Sequence, residues 1–139
     1  MAKYDAYGTE LYRGTSTGTA YVQVTNISGP GLTLDTEDVT SHDSTSAWEE
    51  VVGTILRSGE ITVDIVYDPA HATHKNAGSG LLADLVGRAS ATYTLVFPDA
   101  ATTEWTFSAF VTGFEPAAPV DGALTASVTF KPTGVVTLV

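Results

Sequence analysis

Apolar and polar residues alternate with a period of two through much of the chain, the pattern of strands with one buried face. Residues 61–67 place Ile61, Val63, Ile65 and Tyr67 on one side, with Thr62 and Asp64 on the other. Residues 105–111 set Trp105, Phe107, Ala109 and Val111 against Thr106 and Ser108. Residues 124–130 set Leu124, Ala126, Val128 and Phe130 against Thr125, Ser127 and Thr129. Shorter strands are expected at 20–25, 32–36, 92–97 and 135–138, where Thr and Val are frequent and suit a pleated surface. Turn residues separate them at Ser28-Gly29-Pro30-Gly31, Pro98-Asp99, Pro116 to Pro119 with Asp121-Gly122, and Pro132-Thr133-Gly134.

One segment has a helical period instead. Residues 79–88 carry Leu81, Leu82, Leu85 and Val86 on one face, with Asp84 and Arg88 as an i, i+4 pair and Asn76 or Ser79 as the cap. The pattern predicts a mainly β domain over 1–139: a β-sandwich or partial barrel of about seven strands with one flanking α-helix. Residues 1–18 lack a clear period and read as an N-terminal arm. Residues 37–57 read as a long loop, because a hairpin between 32–36 and 58–67 leaves some twenty residues to connect, far above the usual two to five. Within that span Trp48, Val51, Val52, Ile55 and Leu56 are too apolar for a freely solvated loop and require a partner surface.

Charge narrows the function classes. The 139 residues include 16 Asp and Glu against 6 Lys and Arg, a formal net charge of −10. That balance excludes the counterion-releasing grip of a nucleic-acid binder and docking on an anionic membrane surface. Cysteine is absent, which removes disulfides, thiolate metal sites and cysteine nucleophiles. No run approaches the roughly 18 apolar residues of a membrane span. The opening MAKYDAYGTELYRG lacks a secretory h-region, so the expectation is a protein made in the cytoplasm.

No catalytic constellation emerges. His71 and His74 have the spacing of a helical metal pair, but Pro69 stands before them and no helix is expected, so they read as an ordinary exposed loop. His42, Asp43 and Ser44 are residue types of a hydrolytic triad, yet adjacency cannot converge them and no G-x-S-x-G is present. The acidic run 35–50 lacks the spacing and the glycine of a calcium loop. Glu49 and Glu50 point to opposite faces if extended and cannot flank one glycosidic bond. Trp105 belongs to an apolar strand face and reads as core, whereas Trp48 reads as interface. No catalytic, metal or cofactor residue is assigned.

The order and spacing of five segments carry a resemblance. They are VTNISGPGLTLDTEDVTSHDS, WEEVVGTILRSGEITVDIVYDP, the helical SGLLADLVGR, TYTLVFPDAATTEWTFSAFVTGFEP and LTASVTFKPTG. Taken together, over roughly 20–134, they resemble the major tail tube proteins of long-tailed (siphovirus-type) bacteriophages and phage-derived particles. The resemblance implies a fold shared with the tubes of contractile tails and type VI secretion, without enzymatic activity and without a cofactor. It further implies that six subunits form a ring with one continuous inner β-barrel, and that rings stack into a tube located in the virion tail. The implied partners are further copies of the chain, a tape-measure protein, and tail tip and tail terminator proteins. DNA is expected to pass through the lumen without sequence-specific binding. An immunoglobulin-like C-terminal domain, present in some relatives, is not expected here.

In that family the long early loop reaches neighbouring subunits. The resemblance therefore places Trp48, Val51, Val52, Ile55 and Leu56 between subunits, together with the arm residues Tyr4, Tyr7, Leu11 and Tyr12. Polar positions on the inner strands, Thr62 and Asp64 or Glu104 and Thr106, are the candidates for facing the lumen, where carboxylates repel phosphate. Two other readings stay open: a soluble β-sandwich binding module of the carbohydrate type, and a type VI secretion-like tube protein.

Overall fold

The computed structural model describes residues 2–138; Met1 and Val139, the two ends of the expected domain, lie outside the described residues. The strands are β1 (Glu10–Arg13), β2 (Thr19–Ala20), β3 (Val24–Ser28), β4 (Leu32–Asp38), β5 (Val51–Ser58), β6 (Ile61–Val66), β7 (Ala91–Val96), β8 (Glu104–Ala117) and β9 (Thr125–Leu138), with helix α1 at Leu81–Gly87 before β7. Seven strands form one antiparallel sheet in the order β2-β1-β7-β8-β9-β6-β3, curled into a half-barrel. Among the described residues β4 and β5 pair only with each other.

The period-two alternation sets the inside of the curl. Ile61, Val63 and Ile65 of β6, Ala126, Val128 and Phe130 of β9, and Phe107, Ala109 and Val111 of β8 are all buried there. Tyr93 and Leu95 of β7 complete that face, and Tyr93 packs edge-on to Phe130 at 4.9 Å between ring centres. Leu81 and Leu85 of α1 close the concave side, with the helix lying against β8. Trp105 packs edge-on against Phe97 at 5.3 Å at the rim of the core, the core-side position that its strand pattern requires.

Several boundaries differ from the sequence expectation, each for an identifiable reason. The first 18 residues are not all arm, since β1 pairs with β7 and Leu11 is 1% exposed. Burying that one leucine contributes about 1.5–3 kcal/mol, which holds a four-residue strand too short to show a period. The segment 20–25 is split by Gln23, whose φ of 59° turns the chain between β2 and β3. Pro132-Thr133-Gly134 is not a turn: Pro132 sits opposite Ala109, and the left-handed Gly134 lies in a bulge that lets β9 run on to Leu138. The helix starts after Gly80 without a side-chain cap, and Arg88 is its left-handed C-cap rather than the partner of Asp84. Asp84 turns inward instead.

The span 37–57 is likewise not a free loop. Its second half is β5, which pairs with β4 from Leu32↔Ser58 to Asp38↔Val51, leaving residues 39–50 as the connection. A bulge near Asp35 and Thr54 breaks the alternation of β5, so its strand character did not show as a clean period. The connection is held by local bonds. Glu50 N–H donates to Thr40 Oγ1 at 2.8 Å, and Ser44 Oγ donates to Glu50 Oε2 at 3.1 Å.

Candidate functional surfaces

The β4–β5 ribbon is the largest unpartnered apolar feature of the molecule. Trp48 is 74% exposed at its tip, and Leu56 81% exposed near its base. Val51, Val52, Ile55, Leu32 and Leu34 are also exposed. An isolated two-stranded ribbon is marginal in water, and the surface ion pair Arg57 Nε–Asp35 Oδ2 at 2.6 Å adds little. Where the ribbon meets the body, Leu32 and Leu56 line a cleft of about 460 Å3 with Val135, Val136 and Leu138 of β9. Apolar side chains thus lie exposed on both strands of the ribbon, the composition from which docking surfaces are commonly built.

The second surface is the convex face of the half-barrel. Cross-strand register aligns Asn26, Asp64, Ser127 and Glu115 in one row across β3, β6, β9 and β8. The next row is Ser28, Thr62, Thr129 and Gly113. Asn26 Nδ2 donates to Asp64 Oδ2 at 3.4 Å. Short hydroxyl, amide and carboxylate side chains thus cover this strip. Glu115 is in the row because of a bulge: the register of β8 shifts between Val111 and Gly113, so Glu115, which counting by twos from Trp105 puts on the apolar side, emerges on the polar one. Pattern reasoning missed it for that reason.

Glu104 and Thr106 share the convex side but not this strip. They pair with Val96 and Thr94 of β7, roughly 30 Å from Glu115 at the rise of an extended strand. There the Tyr12 phenol donates to Glu10, and that bond, with burial and the charges of Glu10 and Glu104, raises its pKa.

The remaining arm residues divide. Tyr4 and Tyr7 are exposed, Tyr12 is half-buried on the convex side, and Leu11 belongs to the subunit's own core and is closed to any partner. All five ribbon residues singled out from the sequence are exposed together.

Two buried polar groups have structural work. Asp84 accepts from Arg13 Nε and Nη2, both at 3.1 Å, and from Tyr93 Oη at 2.9 Å, tying α1 to β1 and β7. The carboxylate raises the Arg13 pKa, while burial first and the Asp84 charge second push the Tyr93 phenol up. Tyr21 beside it is raised mainly by burial, with the neighbouring Tyr93 phenol second, and among the described residues its hydroxyl makes no hydrogen bond of ordinary geometry. His74 is fully buried, not in an exposed loop: Asp68 N–H donates to its Nδ1 at 3.2 Å, and its Nε2 bonds the Val22 carbonyl at 3.1 Å. Both ring nitrogens are therefore occupied. Among the described residues no group of three or more His, Cys, Asp or Glu is placed to hold a metal, and no helix is long and apolar enough to cross a membrane.

No family model and no curated protein matches the chain. Solved structures do. Chains of the native gene transfer agent virion and of the tail of the empty gene transfer agent particle, the latter with C6 symmetry, superpose with TM-scores of 0.76 and 0.71 at 13% and 14% identity, each over 99% of both chains. A chain from the sheath/tube terminator of the extracellular contractile injection system PVC, in its extended state, gives 0.73 at 14% identity over 99% of this chain and 97% of that one. The SPP1 tail tube gives 0.57 at 12% identity, over 91% and 72%. At such identities the likeness is one of fold, extending over nearly the whole chain.

Proposed function

We propose that this chain is a tail tube subunit: a structural, non-enzymatic protein that assembles into stacked six-membered rings around a channel for DNA. The observation that carries this reading is the near-complete superposition on a chain of a C6-symmetric particle tail. The edges of the sheet support it. β3 pairs with β6 on one side only, and β8 beyond Ala109 pairs with β9 on one side only, among the described residues. The strip β3-β6-β9-β8 between those edges can continue into the strip of a neighbouring copy, as exposed edges readily do. Closed six-fold, it becomes a barrel wall with the apolar face toward each subunit's core and the polar face toward the channel. Thr62 and Asp64, with Ser127 and Glu115, then line the lumen, whereas Glu104 and Thr106 lie on the other half of β8.

The ribbon takes the contacts between subunits, and the exposed arm residues Tyr4 and Tyr7 stand beside the β3 edge where the next copy would pair. The tape-measure, tail tip and tail terminator proteins are the partners of such a tube, and its place is the particle tail. Electron microscopy of the purified protein at rising concentration tests the reading: six-fold rings or tubes are expected. A protein that stays monomeric throughout, with Trp48 binding oligosaccharide, would instead be the carbohydrate-type module.

A further inference from the structure

In the isolated subunit the N-terminal segment lies alongside the free β3 edge across a narrow cleft. Residues 6–9 and residues 24–27 line one cleft of about 330 Å3. Successive residues of a strand point to opposite faces, and here Val24 and Ile27 pack toward the core while Asn26 stands on the polar row. A cleft lined by four consecutive β3 residues therefore follows the edge of the strand rather than either face. A neighbouring cleft of about 420 Å3 carries the gap onward, with Tyr4, Asp5 and Ala6 facing Ile27, Leu95 and Phe97. The N-terminal segment thus crosses from β1 to the side of β3 where another strand would pair.

Its hold there is weak. Its hydrogen bonds are internal: Tyr7 N–H to Asp5 Oδ1, and Thr9 N–H and Oγ1 to the Ala6 carbonyl. Among the described residues no backbone hydrogen bond joins residues 4–9 to β3. Tyr7 is 90% exposed. A segment that shields an edge without pairing to it blocks stray strand addition and is released at low cost.

We propose that residues 4–9 guard the β3 edge of the free subunit and must leave it before a second copy of the chain can pair there. The proposal rests on the tube reading. Deleting residues 2–9 retains β1 and Leu11, so the unfolding midpoint is expected to stay put. The concentration at which rings or tubes first form is expected to fall by at least about fivefold, as for loss of one weakly held contact. An unchanged or higher onset, or a folded deletion variant that no longer assembles, overturns the guard.

A second variant works in the opposite direction. The chain has no cysteine, so Ala6→Cys with Asn26→Cys can be joined by a short cleavable thiol crosslinker without side reactions. The joined protein is expected to remain monomeric and to assemble after cleavage; normal assembly while joined overturns the proposal. Wild-type rings with no response to either change defeat the guard alone. Absence of rings from wild-type, truncated and cleaved protein alike defeats the tube reading and the guard with it.

Discussion

At the scale of single residues, the Asp84 cluster separates a polar group that stabilises from one that does not. Asp84 gathers three donors from β1 and β7 while nearly fully buried. Asp84→Ala strands the Tyr93 hydroxyl and leaves Arg13 without its partner. Because the Arg13 side chain is one-third exposed and water can partly replace the carboxylate, the expected loss is about 2–3 kcal/mol, below the full cost of breaking a buried pair. Tyr21→Phe, by contrast, removes a buried hydroxyl that has no partner, and stability is expected to stay level or rise. Chemical denaturation of the two variants checks both signs. Equal losses would mean that the Tyr21 hydroxyl is satisfied in solution.

At the scale of elements, the ribbon and the sheet answer to different forces. The sheet is held by its own core, whereas β4–β5 exposes most of its apolar side chains. Trp48→Ala combined with Leu56→Ala is therefore expected to leave the melting temperature within the effect of ordinary surface changes, about 0.5 kcal/mol each. The same double variant is expected to give folded monomers without tubes, read by calorimetry and electron microscopy side by side. Normal tubes from it would remove the ribbon from the assembly contacts. Conformational entropy would favour docking through such an element, because Val51, Val52, Ile55 and Leu56 sit on a strand pair already ordered and lose less freedom on binding than an unstructured loop.

At the scale of the whole molecule, the proposed tube requires acidity to coexist with assembly and with DNA. In the proposed ring six copies would carry six times −10, or −60, before bound counterions. On that reading, apolar contacts through the ribbon and strand pairing at the edges offset that repulsion, which salt also screens. Carboxylates on the proposed channel wall would repel phosphate. Asp64→Lys is expected to leave tube formation intact and to slow DNA ejection from reconstituted particles, while Glu104→Lys, on the β7 side, leaves ejection unchanged. Equal slowing by both, or by neither, would contradict the assignment of the β3-β6-β9-β8 strip to the lumen.

Much of the fold was legible in the residues themselves. Ile61-Val63-Ile65, Phe107-Ala109-Val111 and Ala126-Val128-Phe130 fixed three strands and the face that each buries, because a period of two leaves one outcome when one side must be dry. The helix followed from its own 3.6-residue period and the edge-of-core place of Trp105 from the alternation, whereas Trp48, Val51, Val52, Ile55 and Leu56, too apolar for a solvated loop, are exposed in the single subunit. The order of the resembling segments pointed to the tail tube fold. Tertiary structure decided what local pattern cannot carry. Leu11 went into the core because β7 offered β1 a partner, Asp84 chose Arg13 and Tyr93 over Arg88, and His74 was buried with both nitrogens bonded. Bulges at Thr54, Thr112 and Gly134 reset the alternation, which hid β5, turned Glu115 to the polar face and carried β9 past Gly134. Each of these depends on which strand lies alongside, a long-range pairing that no window of sequence contains.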